Sequence, residues 1–511
     1  MRLVYDLEPA WPPLAWLAVC RAGEDRVGVR HGRQVETTDE WFAEAAWAGD
    51  YEAGDLDRTD LVAGSGGRLR GREIVFVSSG STVDRLQSLV RGEDIAVSNS
   101  LPCLLAAAGA TLDPSYPHYY GVLSSVVHGL RRLTRSLPTS AGPLELIYFE
   151  NLAWDGRALT RRAKPGGPRD FSIFARYREF LESSLGRLAE NLGAKARLYP
   201  YRMLGTLSSG YDSSTVAALA RQAGCEEVLC FDRAWGGRDR ARALRERRGE
   251  SDSRAEAARV LGLRPISVPF EGWRSLDRPE IPFLAANGMG EEVRFRSAEP
   301  HLPARVLLTG YHGDKMWAKT AKDLGPDLVR GDPSGSALGE YRLWVGFLHC
   351  PVPFWGVRQI ADVHAITRSP EMAPWDLPGP YSRPICRRIV EGAGVPREMF
   401  GMRKLAASVM LHDDPDFLTP ASRADYLGWL GEHRGAWLRR GAIPPVRSAA
   451  LDRLVLRASD GLSAWMKRTP GLWRLPPRLG LEYGPTRLRR ALFPWAVERA
   501  MARYASARGS R

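Results

Sequence analysis

A serine-rich turn at residues 207–215 (LSSGYDSST) carries the side chains of this sequence that are best placed for chemistry. An apolar run precedes the turn and an alanine-rich run follows it, so a strand is expected to pass almost directly into a helix. Such a turn directs backbone N–H groups and the positive end of the helix dipole at an anion. The hydroxyl groups of Ser208, Ser209, Ser213 and Ser214 add further donors, and the pattern predicts a phosphate or pyrophosphate site.

Two aspartates stand in turns that end predicted strands. Asp212 belongs to the serine-rich turn, where its negative charge would repel a bare phosphate. Asp314 belongs to a second glycine-containing turn, residues 309–317 (TGYHGDKMW), which follows the apolar run 304–310. A carboxylate beside a phosphate is favourable where a divalent cation bridges the two groups. The two turns therefore predict one Mg²⁺ held between Asp212 and Asp314.

Both turns resemble motifs of one enzyme superfamily. The first contains neither GxxxxGK[ST] nor GxGxxG, and it resembles the SGGxDS pyrophosphate loop of the PP-loop ATP pyrophosphatases, with Ser209 in place of the first glycine. The second resembles the SGxGGDE element of the asparagine synthetase superfamily, with Lys315 in place of the usual glutamate. Residues 395–408 (VPREMFGMRKLAAS) resemble the segment that brings a cation near the phosphates, and Lys404 matches its lysine. The motifs occur in the family's order over about residues 170–410.

The resemblance implies an enzyme that binds ATP and Mg²⁺ and cleaves ATP to AMP and pyrophosphate. Lys404 is expected to stabilise the charge that develops in the adenylation and amide-forming steps. Phe231, at the end of a predicted strand, is expected to contact the adenine ring. Besides the four serines and Asp212, the implied nucleotide-binding residues are Leu207, Gly210, Phe231, Thr309 and Gly310.

The elements that position these turns follow from the pattern of the chain after residue 170. Apolar runs rich in β-branched residues alternate with helical periodicity, and this alternation predicts a parallel, doubly wound α/β sheet. The predicted strands are 201–207, 226–232, 264–270 and 304–310, and the predicted helices are 171–192, 213–223 and 253–261. From about residue 335 the chain is predicted to be mainly helical, with proline-rich breaks such as 350–356 (CPVPFWG).

The first 165 residues are predicted to be rich in strands, among them 72–80, 93–100 and 144–151, and a charged Pro/Gly segment at 161–170 is predicted to be a linker. This region resembles in layout the N-terminal glutaminase (Ntn-type α+β sandwich) of asparagine synthetases. The sequence begins Met1-Arg2 and its first cysteine is Cys20, so we expect the domain to lack the glutaminase nucleophile. The resemblance thus implies a degenerate glutaminase-like domain at 1–165 and a PP-loop synthetase domain with a helical C-terminal part at 170–511.

Superfamily branches without the cysteine include β-lactam synthetases, carbapenam synthetases and lasso-peptide cyclases. Tyr311 matches the tyrosine of the β-lactam synthetase Tyr–Glu dyad, which deprotonates the attacking amine, and Glu340 is the candidate carboxylate partner. The favoured interpretation is a ligase that adenylates a carboxylate and closes a lactam with an internal amine, as a lasso-type macrolactam cyclase of antibiotic biosynthesis. Its expected substrate is a precursor or leader-processed peptide, with a leader-binding protein and a leader peptidase as possible partners. A β-lactam-forming enzyme acting on a small amino acid is the sibling alternative.

Composition bears on two further alternatives. A net charge of +13 suits a tRNA-modifying PP-loop enzyme, but the six cysteines form no CxxC, so nucleic acid is not the favoured partner. A non-catalytic nucleotide-binding protein is the other alternative, in which the departures from the motifs at Ser209 and Lys315 would reflect a loss of catalytic function. No histidine spacing indicates zinc, and no apolar run is long enough for a membrane span. The N-terminal residues also lack the pattern of a signal peptide, and we therefore expect a cytoplasmic protein.

Overall fold

Three large sheets and the helices packed on them form the part of the chain that the computed structural model describes. The described residues are 1–236, 250–251, 254–379, 381–402, 405–406, 418–441 and 489–505, with a few short stretches between 454 and 472. Two mainly antiparallel sheets belong to the first 163 residues, and a parallel sheet belongs to residues 202–351. The chain is therefore of mixed α/β class.

Two stacked sheets make up the first 163 residues. Their strands are β1 (Arg2–Leu7), β2 (Trp16–Arg21), β3 (Arg26–His31), β4 (Glu36–Thr37), β5 (Trp41–Trp47), β6 (Val62–Arg70), β7 (Glu73–Val77), β8 (Leu86–Arg91), β9 (Asp94–Ser98), β10 (Ser136–Leu137), β11 (Leu144–Ile147), β12 (Glu150–Trp154) and β13 (Leu159–Ala163). The strand orders are β1-β3-β2-β9-β8-β11-β10 and β13-β12-β7-β6-β5-β4. Trp16 of the first sheet packs on Phe42 and Phe76 of the second, so an apolar layer joins the two faces.

Two helices cover the outer face of the seven-stranded sheet, α1 (Leu101–Ala108) and α2 (Tyr119–Ser124). The hydroxyl of Ser100 accepts a hydrogen bond from the backbone N–H of Cys103 and so caps the start of α1. Gly109 ends the helix in the left-handed conformation, at φ 60°. The local sequence therefore sets both ends of α1, and its leucines bury the helix against the sheet.

Five parallel strands form the sheet that carries the predicted turns. They are β14 (Arg202–Thr206), β15 (Glu227–Phe231), β18 (Arg264–Val268), β19 (Arg305–Thr309) and β20 (Leu348–Pro351), in the order β18-β15-β14-β19-β20. A small sheet holds β16 (Arg233–Gly236), β17 (Glu250–Ser251) and β21 (Leu405–Ala406). Because β14 lies between β15 and β19, the turns that follow these three strands meet at one edge of the sheet.

Helices pack on the parallel sheet and continue towards the C-terminus. They are α3 (Phe174–Leu192), α4 (Tyr211–Gln222), α5 (Ala255–Val260), α6 (Ile281–Asn287), α7 (Gly313–Met316), α8 (Leu338–Val345), α9 (Ile360–Thr367), α10 (Pro384–Gly392), α11 (Pro420–Glu432), α12 (Arg434–Arg439) and α13 (Leu492–Met501). A 3₁₀ segment, Val293–His301, runs beside the sheet. None of the helices in the described ranges could span a lipid bilayer.

The predicted parallel sheet is confirmed, and its four predicted strands are within two residues of those observed. One detail was wrong. The run 144–151 is two strands rather than one, because the chain bends at Phe149, whose φ is 54°. The described residues after 335 are mainly helical, as predicted, and they also include the strand β20, which pairs with β19 and is buried along its whole length. A strand of this kind has no alternating polar face, which is why its periodicity was not visible in the sequence.

The two halves of the chain share buried contacts. Residues of the seven-stranded sheet and of the parallel sheet belong to one continuous apolar cluster. Nη1 of Arg342 donates to Glu44 at 2.6 Å, and Nη1 of Arg197 donates to Glu36 at 2.7 Å, with all four side chains buried. The predicted linker is also packed: residues 161–163 extend β13, and the ammonium of Lys164 is buried and donates to the carbonyl of Ser78.

Candidate functional site

One cavity lies at the carboxyl ends of β14, β15 and β19, and it collects most of the residues that the sequence singled out. In an open α/β sheet this edge is where ligands bind. The predicted residues that line the cavity are Leu207, Ser208, Gly210, Asp212, Ser213, Phe231, Thr309, Gly310, Tyr311 and Asp314. Residues from three separate strand ends thus face one space.

The serine-rich turn is held by its own hydroxyl groups. The hydroxyls of Ser208 and Ser213 are 2.7 Å apart, and Ser208 Oγ accepts a hydrogen bond from the N–H of Gly210 at 3.2 Å. Ser214 Oγ donates to the carbonyls of Ser208 and Gly210, at 3.1 and 2.9 Å. Ser209 is buried, and its carbonyl accepts from the N–H of Gly401. Ser208 and Ser213 therefore line the cavity, whereas Ser209 and Ser214 lie behind it and support the turn.

Two glycines let the second turn approach the first. A Cβ atom on Gly310 would lie 2.6 Å from the Cβ of Asp212, and one on Gly313 would lie 2.5 Å from its carboxyl carbon. Contacts this short do not occur between real side-chain atoms, so any larger residue would separate the turns. Between these glycines, His312 has a φ of 75°, and its buried ring stacks on Phe354 with centroids 4.5 Å apart. Glycine at 310 and 313 is therefore a packing requirement of the site.

The carboxylates of the site face a buried cation. Asp212, in the first turn of α4, forms an ion pair with Nη1 of Arg383, whose side chain is 4% exposed. Asp314 and Asp332 also line the cavity, as does Arg383 itself. Sequence reasoning did not single out Arg383 or Asp332, because each is brought to the cavity from a segment outside the strand-end turns.

Two carboxylates on one cavity fit the predicted Mg²⁺. In the described part of the chain no group of three or more His, Cys, Asp or Glu side chains is arranged to hold a metal by itself. Mg²⁺ keeps several waters and is commonly bound by one or two carboxylates together with phosphate oxygens. Asp212 and Asp314 would supply the protein ligands, and the remaining oxygens would come from a phosphorylated ligand and water.

Tyr311 is paired with an arginine. Its hydroxyl accepts a hydrogen bond from Nη2 of Arg294 at 3.2 Å, and its ring lies at 87° to that of His349, with centroids 5.6 Å apart. Burial raises the pKa of Tyr311 well above its usual value, and the nearby guanidinium of Arg294 only partly offsets this. Tyr311 is therefore a neutral phenol that borders the cavity.

Glu340 does not pair with Tyr311, and the predicted dyad is wrong on this point. Its carboxylate accepts hydrogen bonds from the hydroxyls of Ser100 and Tyr504 and from Nε1 of Trp344. Glu340 lies in the first turn of α8, on the side of the helix that faces Ser100 in the N-terminal half of the chain. Lys404, the other predicted catalytic residue, lies outside the described residues.

Arg294 is a further residue of the cavity that sequence reasoning missed. It is 4% exposed, and its guanidinium lies over the rings of Phe231 and Phe295, at 5.2 and 5.0 Å from their centroids. The signal in the sequence was the run Glu291–Glu292–Val293–Arg294, because three charges in a stretch flanked by apolar residues indicate buried, paired ions. Their spacing alone does not say which strand end they face.

No model of a known protein family matches this sequence, and no curated protein matches it at a significant level.

Proposed function

We propose that this protein is an ATP-dependent ligase that forms amide bonds by way of an acyl-adenylate. The observation that carries the proposal is the meeting of the serine-rich turn, both aspartates and Tyr311 in one cavity at the carboxyl ends of the parallel strands. The turn offers donors to an anion, the aspartates suit a bridging divalent ion, and Phe231 offers a flat apolar surface to a base. These are the features expected of a nucleotide site that handles pyrophosphate.

In the first step a substrate carboxylate oxygen attacks the α-phosphorus of ATP, and the bond from that phosphorus to the bridging oxygen of pyrophosphate breaks. The hydroxyls of Ser208 and Ser213 would bind the pyrophosphate oxygens as negative charge collects on them. Mg²⁺ bound by Asp212 and Asp314 would neutralise part of the phosphate charge. Arg383 lies at the same wall as a permanent cation.

In the second step an amine attacks the acyl carbon, a C–N bond forms, and AMP leaves with the oxygen that joined it to the acyl group. Holding the amine and the activated carboxylate in one cavity makes this a proximity-driven reaction. Since an internal amine would give a lactam, we propose a peptide macrolactam as the product, with a small lactam as the alternative. We expect the reaction to take place in the cytoplasm, where ATP is available.

The test is ATP–pyrophosphate exchange by the purified protein with Mg²⁺. The candidate substrates to be added are peptides encoded beside its gene, β-amino acids and tRNA. We expect exchange that depends on a carboxylate substrate, and loss of at least 100-fold in Asp212→Asn and in Asp314→Asn. Asp277→Asn is the control, because that carboxylate is exposed on the surface. Absence of exchange with every carboxylate, together with AMP release on addition of tRNA, would overturn the proposal. The substrate that supports exchange separates the peptide cyclase from the small-lactam enzyme.

A further inference from the structure

The partner of Tyr311 determines what its hydroxyl can do. Nη2 of Arg294 donates to the phenolic oxygen at 3.2 Å, and this is the hydrogen bond that the structure records for that oxygen. Among the described residues, no carboxylate accepts a hydrogen bond from Tyr311. An oxygen that accepts from a guanidinium directs its own proton elsewhere, and Tyr311 borders the cavity.

Arg294 is buried against aromatic rings. Its guanidinium lies over the rings of Phe231 and Phe295, and the carboxylate of Glu292 supplies a compensating negative charge. Glu292 is fully buried and accepts hydrogen bonds from the backbone N–H groups of Gly335 and Ala337, at 2.7 and 3.2 Å. The cation is therefore packed on aromatic rings, and a buried carboxylate that is itself anchored to the backbone offsets its charge.

The charges that face Tyr311 favour the neutral phenol. Burial raises its pKa, Arg294 lowers it, and the carboxylates of Glu292 and Glu291 raise it again. His349, whose ring lies at 87° to that of Tyr311, is kept neutral because burial lowers its pKa to about 4. A base that removes a proton from an amine needs the phenolate, which these surroundings disfavour, whereas a hydrogen-bond donor needs the phenol.

We propose that Tyr311 donates a hydrogen bond to the acyl oxygen during amide formation, and that Arg294 is the positioning residue that aims and polarises this donor. This inference rests on the proposed function. The cation behind the phenolic oxygen strengthens the O–H donor, because hydrogen bonds in a chain polarise one another. The donor is then ready for the oxyanion of the tetrahedral intermediate, as in other acyl-transfer sites.

In this step the amine nitrogen forms a bond to the acyl carbon, and the carbonyl electron pair moves onto the acyl oxygen, which accepts the hydrogen bond from Tyr311. The pair then returns, the bond from the acyl carbon to the AMP oxygen breaks, and AMP leaves. The proton of the amine passes to water, and Tyr311 keeps its own proton throughout.

The experiment measures the two half-reactions separately, with a carboxylate substrate that supports exchange. ATP–pyrophosphate exchange reports adenylation, and trapping with hydroxylamine reports attack on the acyl-adenylate, because hydroxylamine is unprotonated over neutral and alkaline pH. The variants are Tyr311→Phe, Arg294→Met and Arg294→Lys. Tyr5→Phe is the control, since that tyrosine binds the backbone of Thr38 and Trp41 at a remote edge.

We expect both activities of Tyr5→Phe to stay within about threefold of wild type. In the Tyr311 and Arg294 variants exchange should fall far less than hydroxamate formation, and the exchange that remains shows that each one folds. Hydroxamate formation should fall by about 100-fold or more in Tyr311→Phe, the size found for loss of one oxyanion donor. It should fall at least tenfold in Arg294→Met and less in Arg294→Lys, which retains a cation. The rate of hydroxamate formation by the wild-type protein should not rise with pH.

Two results would overturn this inference while leaving the proposed function intact. One is normal hydroxamate formation in Tyr311→Phe or Arg294→Met with exchange preserved. The other is a rate of hydroxamate formation that rises about tenfold per pH unit in wild type but not in Tyr311→Phe, because that result identifies the phenolate as a base. Absence of exchange in wild type would instead contradict the proposed function.

Discussion

Arg383 and Asp212 form an ion pair at the first turn of α4, inside the cavity that the predicted phosphate turn lines. The guanidinium is almost completely buried, and the aspartate side chain is 25% exposed. The pair therefore places a cation on the carboxylate that is the candidate metal ligand. Arginine and a divalent ion compete for the same charge, and this competition can be measured.

We predict that Arg383→Gln binds Mn²⁺, as a probe for Mg²⁺, about tenfold more tightly in the absence of nucleotide, because Asp212 loses its competing cation. The same variant should bind ATP about tenfold more weakly, since a positive charge facing the phosphates is gone; each change corresponds to about 1.4 kcal/mol. Electron paramagnetic resonance measures the first affinity and calorimetry the second. Arg388→Gln is the control, because Arg388 lies on α10, the helix that Arg383 precedes, but is paired with Glu371. Unchanged Mn²⁺ affinity would show that Asp212 is not a metal ligand.

Gly310→Ala tests the contact between the two turns. The new methyl group would lie 2.6 Å from the Cβ and the carbonyl carbon of Asp212, so the turns must move apart. We expect ATP affinity to fall at least tenfold and the free energy of unfolding to fall by about 1–3 kcal/mol, as for other overpacked sites. Calorimetric titration and chemical denaturation measure the two effects. Gly325→Ala, with no atom within 4 Å of the added carbon, should change neither.

His349 makes the fold sensitive to acid. Burial lowers its pKa from 6.5 to about 4, and its Nε2 lies 2.9 Å from the hydroxyl of Thr309. Between these pH values the unfolded chain binds a proton that the folded chain does not, so the free energy of unfolding falls as the pH falls. At about 1.4 kcal/mol per pKa unit, the loss reaches about 3 kcal/mol at pH 4.

His349→Gln should remove this contribution, so that the difference in unfolding free energy between variant and wild type changes by about 3 kcal/mol from pH 6.5 to pH 4. Urea titrations at several pH values measure it. His301→Gln is the matched control, because it also removes one imidazole but at an exposed position. A difference that does not vary with pH would contradict the assignment of this acid sensitivity to His349.

Arg342→Met tests the junction between the two halves of the chain. It leaves Glu44 and Asp84 as buried carboxylates without their cation. We expect a loss of about 3–5 kcal/mol in the free energy of unfolding, the usual cost of removing one partner of a buried ion pair. Arg176→Met, which breaks an exposed pair with Glu179, should have little effect. An equally small effect of Arg342→Met would mean that this buried ion pair contributes little to the junction between the halves.

The sequence by itself determined the parallel sheet and the position of its turns. Strands β14, β15, β18 and β19 were visible because short apolar runs alternate with helical periodicity, and both signals are local. The turns at 208 and 310 were visible because clusters of glycine, serine and aspartate between periodic segments mark turns. Since parallel strands end at the same edge of a sheet, the joint placement of Asp212 and Asp314 followed without knowledge of the rest of the fold.

The tertiary structure decided which side chains complete the site. Tyr311 meets Arg294, which precedes it in the chain, rather than Glu340, which follows it, because α8 packs Glu340 towards Ser100 in the other half of the molecule. Arg383 reaches Asp212 across 171 residues of sequence. The direction of a buried side chain depends on which faces of distant elements pack together, and no spacing along the chain records that. For this reason the sequence located the cavity, and only the tertiary structure determined which charged side chains pair within it.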